Sequence, residues 1–302
     1  MKKIIVLLLI ACMLLTGCGS MSPESVKEPE KQEETVVEET SVVEEPADEG
    51  VPFMPFKDAA AEITFDDFDN ALDFNDYLTI FYNEEQREHS EKLAFLGESE
   101  DGKVKLYNIV HCDDGCIIKA DNVFFPVNTF VDPGWGFEVF NASDYDGDGN
   151  DEYAFVHTAG HGTGFFVEEL ILADSQEETI VRSFDVEDMS EVFDKINYEY
   201  SEDSKTLEFW LDIDGEKTSE GTVTFDDELA ERGFDCLVFG DQFYVKNEDG
   251  KIIFIAHAGV FMKDGGWAEY EYGVTLTGDL VYKEGTITYD NLKLEARVPE
   301  NS

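Results

Sequence analysis

The chain has 302 residues, of which 42% are hydrophobic and 13% aromatic, enough to bury a substantial core. Its 69 acidic residues against 21 basic ones give a formal net charge of -48. A surface this negative repels nucleic acid and anionic lipid headgroups, so we expect no nucleic-acid partner. It suits an exported domain that attracts cations.

The N-terminus has the pattern of an export signal. Two lysines precede an apolar run over residues 4–15, which is too short for a stable spanning helix. The tetrad Leu-Thr-Gly-Cys at residues 15–18 resembles the lipobox of bacterial lipoproteins. The resemblance implies a signal peptide over residues 1–17 and lipid attachment to Cys18. The alternative is an ordinary secretory signal with an incidental cysteine. We expect a cell-surface or cell-envelope protein, held to the outer side of the membrane by lipidated Cys18.

Residues 18–53 are predicted to form an acidic, disordered tether. This segment contains three Glu-Glu pairs and four prolines, and it has few large apolar residues. Such a sequence does not bury enough apolar surface to offset the entropy of ordering it, and its like charges extend it. Residues 54–299 follow as a β-rich extracytoplasmic domain.

Strand patterns dominate most of this domain. Residues 66–82 fit a helix as well as strands, but paired strand-like runs then flank turn signals at Asp101-Gly102 and in residues 247–250. Residues 274–277 alternate apolar and polar side chains, as a half-buried antiparallel strand does. The sequence predicts a mainly β fold, built from antiparallel hairpin-rich sheets.

One helix is expected near residue 190. Met189, Val192 and Phe193 recur at helical spacing, and either Asp185 or Asp188 could cap the N-terminus. We expect one or two short helices in all.

Three cysteines lie in the predicted domain. Cys112 and Cys116 flank three residues, the last of them glycine, so we predict a hairpin with a glycine bulge. This hairpin would bring the two cysteines opposite each other, where a disulfide is geometrically feasible. A zinc site is the weaker alternative because no second ligand pair has the required spacing. Cys236 lies among apolar residues and is expected in the core.

The segment 144–152 carries oxygen ligands at regular intervals. Counting from Asp144, side-chain oxygens stand at positions 1, 3, 5 and 9, supplied by Asp144, Asp146, Asp148 and Glu152, and the carbonyl of Asn150 adds another. Two glycines between them allow a tight curl. Because Ca²⁺ takes six to eight oxygen ligands, the loop predicts a structural calcium site. The alternative is an acidic turn that binds nothing.

The loop resembles known calcium loops. An EF-hand is excluded because Phe155 takes the place of the bidentate glutamate at position 12. The acidic loop, the Gly-Thr-Gly turn at residues 162–164 and the strand over 167–172 resemble FG-GAP and VCBS repeats, which form β-propeller blades. They are also similar to an element of surface lipoproteins in Gram-positive bacteria. A complete propeller needs periodic repeats, and the nearest echo, Asp212–Glu216, is incomplete. We therefore expect a single calcium-stapled β-lobe.

Histidine and tryptophan supply the remaining candidates. His157 and His161 invite a zinc reading, but the glycines around His161 favour a turn instead. Trp135 and Trp267 stand among glycines, where exposed aromatic rings could serve as a ligand platform. The alternative is that each ring covers the rim of the core.

The sequence contains no nucleophile elbow, phosphate-binding loop or Cys/His dyad, so enzyme activity stays undecided. We expect a lipid-anchored, extracytoplasmic, calcium-binding β-rich protein that acts as a binding or surface-interaction module for a glycan or protein ligand. The alternative is an enzyme or enzyme accessory acting on surface polysaccharide or peptidoglycan.

Overall fold

The computed structural model describes residues 53–83, 90–112, 114–175, 180–248, 250–268 and 272–297. These all fall in one unit of the chain, Asp48–Ser302. The predicted signal peptide, Cys18 and all but the last residue of the predicted tether lie outside the described residues. Within them the fold is mainly β with antiparallel sheets and few short helices, which confirms the predicted fold class.

Between residues 53 and 175, the described part of the chain contains three short helices and seven strands. In chain order these are α1 (Phe56–Ala61), α2 (Phe65–Asp69), α3 (Phe74–Asn83), β1 (Leu93–Glu98), β2 (Val104–Ile109), β3 (Cys116–Ala120), β4 (Val123–Val127), β5 (Phe137–Val139), β6 (Tyr153–Gly162) and β7 (Phe165–Asp174). The sequence of residues 66–82 fitted a helix as well as strands, and in the structure most of this segment is helical, in α2 and α3.

From residue 180 onward, the described residues form two further short helices and the longest strands. They are β8 (Ile180–Phe184), α4 (Ser190–Phe193), β9 (Ile196–Ser201), β10 (Thr206–Ile213), β11 (Glu216–Thr224), α5 (Asp227–Arg232), β12 (Phe234–Glu248), β13 (Lys251–Met262), β14 (Gly273–Lys283) and β15 (Thr286–Arg297). The segment Asp212–Glu216, which resembles the acidic loop only in part, forms a tight hairpin turn. Asp214 and Gly215 in this turn both have positive φ, 54° and 83°.

The strands form three sheets. One has the order β1-β2-β3-β4, and a second has the order β11-β10-β9. The largest has eight strands in the order β15-β14-β13-β12-β7-β6-β5, with β8 also paired to β7. Strands β7 and β12 run parallel, whereas the other paired strands are antiparallel. The parallel pair joins two sets of hairpins into one sheet.

Strands β6 and β7 lie between two hydrophobic clusters. Ala154 and Val156 contribute to the cluster beneath the three-stranded sheet, whereas Phe155 points to the cluster shared with the four-stranded sheet. Leu170 and Ile171 divide in the same way on β7. Because both faces are buried, these strands show continuous apolar runs rather than alternation. A third cluster lies where α1 and α2 cover the other face of the four-stranded sheet.

Both candidate caps are used near residue 190. The Asp185 carboxylate accepts a hydrogen bond from the Glu187 N–H at 2.7 Å, and the Asp188 carboxylate accepts one from the Asp185 N–H at 3.0 Å. This reciprocal capping box starts a 3-10 turn (Val186–Met189) that continues as α4. The helix ends at Phe193, so the expected helix forms but is short.

The cysteine hairpin differs from the prediction. Cys116 is paired with Asn108 rather than Cys112, and the Ile109 N–H bonds the Gly115 carbonyl, so the loop is wider than three residues. Cys112 packs in the cluster under α1 and α2, whereas Cys116 points to the opposite face of the sheet. No disulfide joins these two buried cysteines. The predicted placement of the cysteines opposite each other is therefore wrong, and Cys236 is half-buried rather than fully in the core.

Candidate functional site

The acidic loop connects β5 to β6 and is closed at its base by main-chain bonds. The Glu152 N–H bonds the Ser143 carbonyl at 2.9 Å, and the Ser143 N–H bonds the Glu152 carbonyl at 3.2 Å. Gly147 and Gly149 adopt left-handed conformations with φ of 78° and 96°. These conformations are accessible to glycine without a steric cost, so the chain can turn back over itself.

The loop gathers three carboxylates. Asp144, Asp146 and Glu152 each offer one oxygen, and these three oxygens lie within 4.8 Å of one another. In the described part of the chain this is the one cluster of such groups that could hold a metal ion. An all-oxygen set of this kind suits a hard cation.

Glu152 is the buried member of the cluster. Its side chain has 0% exposure, and one carboxylate oxygen accepts a hydrogen bond from the Tyr145 N–H at 2.7 Å. The other oxygen, Oε1, is buried and has no hydrogen-bond partner among the described residues. Burial is the largest of the effects that raise the pKa of Glu152 from its usual value to about 7. The negative charges of Asp146 and Asp174 act in the same direction, and the main-chain N–H groups of Tyr145 and Asp146 act against it. A bound cation would neutralise this charge and satisfy the orphaned oxygen, so the residues fit a metal.

Asp148 is not a member of the carboxylate cluster, and it shapes the loop together with Asn150. The predicted role of the Asn150 carbonyl as a ligand stays a prediction. The Asp148 Oδ1 atom accepts hydrogen bonds from the main-chain and side-chain N–H groups of Asn150 at 2.8 and 3.0 Å. The main-chain N–H of Asp148 bonds carboxylate oxygens of Asp144 and Asp146 at 2.9 and 3.1 Å. Short polar side chains readily form such local turns, and the sequence pattern does not distinguish them from ligands.

Tyr145 ties the loop to a neighbouring turn. Its hydroxyl accepts a hydrogen bond from Asn247 Nδ2 at 2.9 Å and lies 3.3 Å from the Asn141 carbonyl. Asn141 in turn accepts a hydrogen bond from the Asp101 N–H at 3.1 Å. The acidic loop is therefore anchored to the turns of two hairpins, β1–β2 and β12–β13.

The two histidines do not form a metal pair. His157 is buried, and its Nε2 atom lies 3.0 Å from Glu169 Oε2, whereas His161 is exposed and stacks on Trp135 with an interplanar angle of 23°. A β-bulge between Thr158 and Gly160 separates them on β6. This arrangement does not support the hypothesis of a zinc site at His157 and His161.

The two candidate tryptophans lie at different places. Trp135 borders a groove of about 700 Å³ that is also lined by His161, Phe165, Phe166 and Gln242. Trp267 instead packs edge-to-face against Phe261 and lies over Gly259. Sequence reasoning missed Phe165 and Phe166, although their position directly after the Gly-Thr-Gly turn was a usable signal.

Comparisons with protein-family models, with curated proteins and with solved structures found no match to this chain. The resemblance to calcium-loop repeats therefore stays a prediction from the acidic loop, the Gly-Thr-Gly turn and the strand over residues 167–172. Among the described residues, no helix has the length and apolarity needed to cross a membrane.

Proposed function

We propose that this chain is a lipid-anchored protein of the cell envelope whose β-rich domain binds calcium and serves as a binding or surface-interaction module. The observation that carries the proposal is the buried Glu152 carboxylate, with one unpartnered oxygen beside Asp144 and Asp146. A buried carboxylate without a compensating partner is costly, and three carboxylates together repel one another. A cation offsets both costs.

Calcium is the preferred ion on chemical grounds. The cluster offers carboxylate oxygens and no nitrogen or sulfur, which disfavours zinc. The exposed part of the loop leaves room for main-chain carbonyls and water, and Ca²⁺ accepts such variable coordination. Magnesium demands near-ideal octahedral geometry and should substitute poorly.

A binding role is favoured over catalysis by the character of the aromatic groove. None of the described residues that line it is an aspartate or glutamate, so it offers no carboxylate pair for glycoside hydrolysis. Its exposed rings instead suit contact with a ligand. The N-terminal lipobox supplies the argument for anchoring at the outer side of the membrane.

The calcium proposal is tested by thermal unfolding of the full chain in detergent, first with chelator and then with calcium added to millimolar levels. Because the ion binds only the folded state, the Tm should rise with calcium concentration. Glu152→Gln should abolish most of this rise. Asp148→Ala is the matched control: it removes an equal charge from the same loop but not a member of the cluster, so it should retain more of the rise. An unchanged wild-type Tm across the titration would contradict the proposal.

A further inference from the structure

A row of side chains crosses the large sheet at one end of β6. In the strand register, His161 on β6 is paired with Phe166 on β7, and Phe166 is paired with Gln242 on β12. Directly paired residues share a face of the sheet, so these three side chains stand side by side. Trp135 stacks on His161 at one end of the row. These residues, with Phe165 and Thr163, line the groove of about 700 Å³, here called the aromatic groove.

The rings of the aromatic groove are exposed but held in place. Trp135 and Phe165 remain 43% and 41% exposed. The loop of Trp135 is pinned because the Gly136 carbonyl accepts hydrogen bonds from both the N–H and the hydroxyl of Thr158, at 2.9 and 3.0 Å.

The two phenylalanines have supports of their own. The Phe165 ring lies against Gly160, where a Cβ atom would approach it within 2.6 Å. Phe166 stacks on Tyr244 with ring centroids 5.2 Å apart. A platform fixed in this way loses little entropy when a ligand binds.

The charge of the aromatic groove contrasts with the rest of the chain. The formal net charge is -48 and 30% of all residues are charged, yet none of the described lining residues is Asp, Glu, Lys or Arg. A basic peptide or protein would be drawn to the acidic surface elsewhere, and an anionic ligand would be repelled by it. The uncharged groove is complementary to a neutral ligand.

Hydrogen-bond donors border the rings. The Gln242 amide oxygen is 3.4 Å from Arg297 Nη1, and no described residue accepts a hydrogen bond from the amide nitrogen of Gln242. Trp135 and Thr163, which also line the groove, carry further donors in the form of an indole N–H and a hydroxyl. The groove thus combines flat π faces with donors at their edges. A ligand with a C–H face and many oxygen acceptors meets both requirements.

We infer that the aromatic groove binds a neutral oligosaccharide. Pyranose rings present axial C–H groups, which carry partial positive charge, to the negative face of an aromatic ring, and their hydroxyls can accept from Trp135 and Gln242. This inference rests on the proposed binding role and names its ligand class. The groove lies at the Gly162 end of β6 and the acidic loop at the Tyr153 end, so saccharide binding should not need the cation.

Isothermal titration calorimetry on the full chain tests the inference, in a detergent whose headgroup is not a sugar. The probes are chitohexaose and cellohexaose, with hexagalacturonate as the anionic comparison and a Leu/Phe-rich decapeptide as the peptide comparison. At least one neutral hexasaccharide should bind in both calcium and chelator. Trp135→Ala should weaken this binding about 10-fold or more, whereas Trp267→Ala, which removes an equally exposed tryptophan elsewhere, should not change it.

Gln242→Ala provides a second variant, expected to weaken binding by about 3–10-fold through loss of a hydrogen bond. The Tm of each variant, measured alongside, separates loss of binding from loss of fold. Binding of the peptide or hexagalacturonate alone, or saccharide binding that Trp135→Ala leaves unchanged, would overturn the inference. A calcium-dependent Tm without saccharide binding removes this inference alone, and Trp135-dependent saccharide binding without a calcium effect removes the cation site alone.

Discussion

Two ionisable side chains, Glu152 and His257, are placed where their charged forms are disfavoured. For Glu152 the cause is burial beside other carboxylates, and a cation would relieve it. For His257 the surroundings are cationic instead: its pKa is lowered to about 4, mainly by burial and also by the positive charges of Arg297 and Lys246. Its Nδ1 atom lies 2.8 Å from the Thr275 hydroxyl. Burial and the two cationic neighbours favour the neutral ring.

His257 should make the fold sensitive to mild acid. Its usual pKa of 6.5 exceeds the value of about 4 in the fold, so the unfolded chain binds the proton more tightly. Stability is therefore retained above pH 6.5 and lost as the pH falls from 6.5 towards 4. His257→Gln, which does not titrate, should reduce this loss by about 1–2 kcal/mol, after allowance for solvent screening.

Urea unfolding gives the free energy of unfolding of the wild type and of the variant at pH 7 and pH 4.5. The change between the two pH values is compared between the two proteins, so the contribution of the many carboxylates, which both proteins share, cancels. The exposed His161, changed to Gln, is the control and should behave as the wild type. An equal pH dependence in all three proteins would contradict the assigned role of His257.

Among the structural elements, the three-stranded sheet depends on one close approach between strands. Gly221 on β11 is paired with Phe209 on β10, and a Cβ atom at Gly221 would come within 2.5 Å of the Phe209 ring. Phe209 is fully buried, so its ring has little room to move. A glycine inside a strand often marks such an approach.

Gly221→Ala should therefore destabilise the domain by about 1–3 kcal/mol through overpacking. Gly136→Ala is the matched control, since the nearest atom to its Cβ, Thr158 Oγ1, would lie at an ordinary 3.6 Å. Free energies of unfolding from urea titrations of both variants decide between them. A loss at Gly221 no greater than that at Gly136 would show that the sheet adjusts freely around Phe209.

For the whole molecule, the chief prediction concerns the anchor. Cys18 follows the apolar N-terminal run in a lipobox-like tetrad, and two acyl-type anchors on one cysteine would hold the chain firmly at a membrane. Cys18→Ala should release the protein or leave an unprocessed precursor. Cys12→Ala, which changes a cysteine within the apolar run, should be processed normally. Cell fractionation and intact mass measure the outcome, and a Cys18 variant that fractionates and migrates like the wild type would refute lipidation.

The sequence by itself determined the features that depend on neighbouring residues. Alternation at Val274 and Thr275 gives one buried and one half-buried side chain on β14, as predicted. Two other local features could also be predicted from the sequence: the helix cap formed by Asp185 and Asp188, and the loop that carries Asp144 and Asp146. Turns and caps are formed by residues within a few positions of one another. Such features depend on the chemistry of residues that are close together in the chain.

Only the tertiary structure decided which of these residues are buried together. From the sequence, Asp148 and Glu152 are equivalent candidate ligands. In the structure only Glu152 is buried, because it directly precedes β6, which lies between two hydrophobic clusters. Cys112 and Cys116 are separated because the width of their loop sends them to opposite faces of one sheet. Gln242 reaches the groove of Trp135 only through the parallel pairing of β7 with β12. Burial and strand pairing join residues distant in the chain, and their free energy depends on packing that no local pattern encodes.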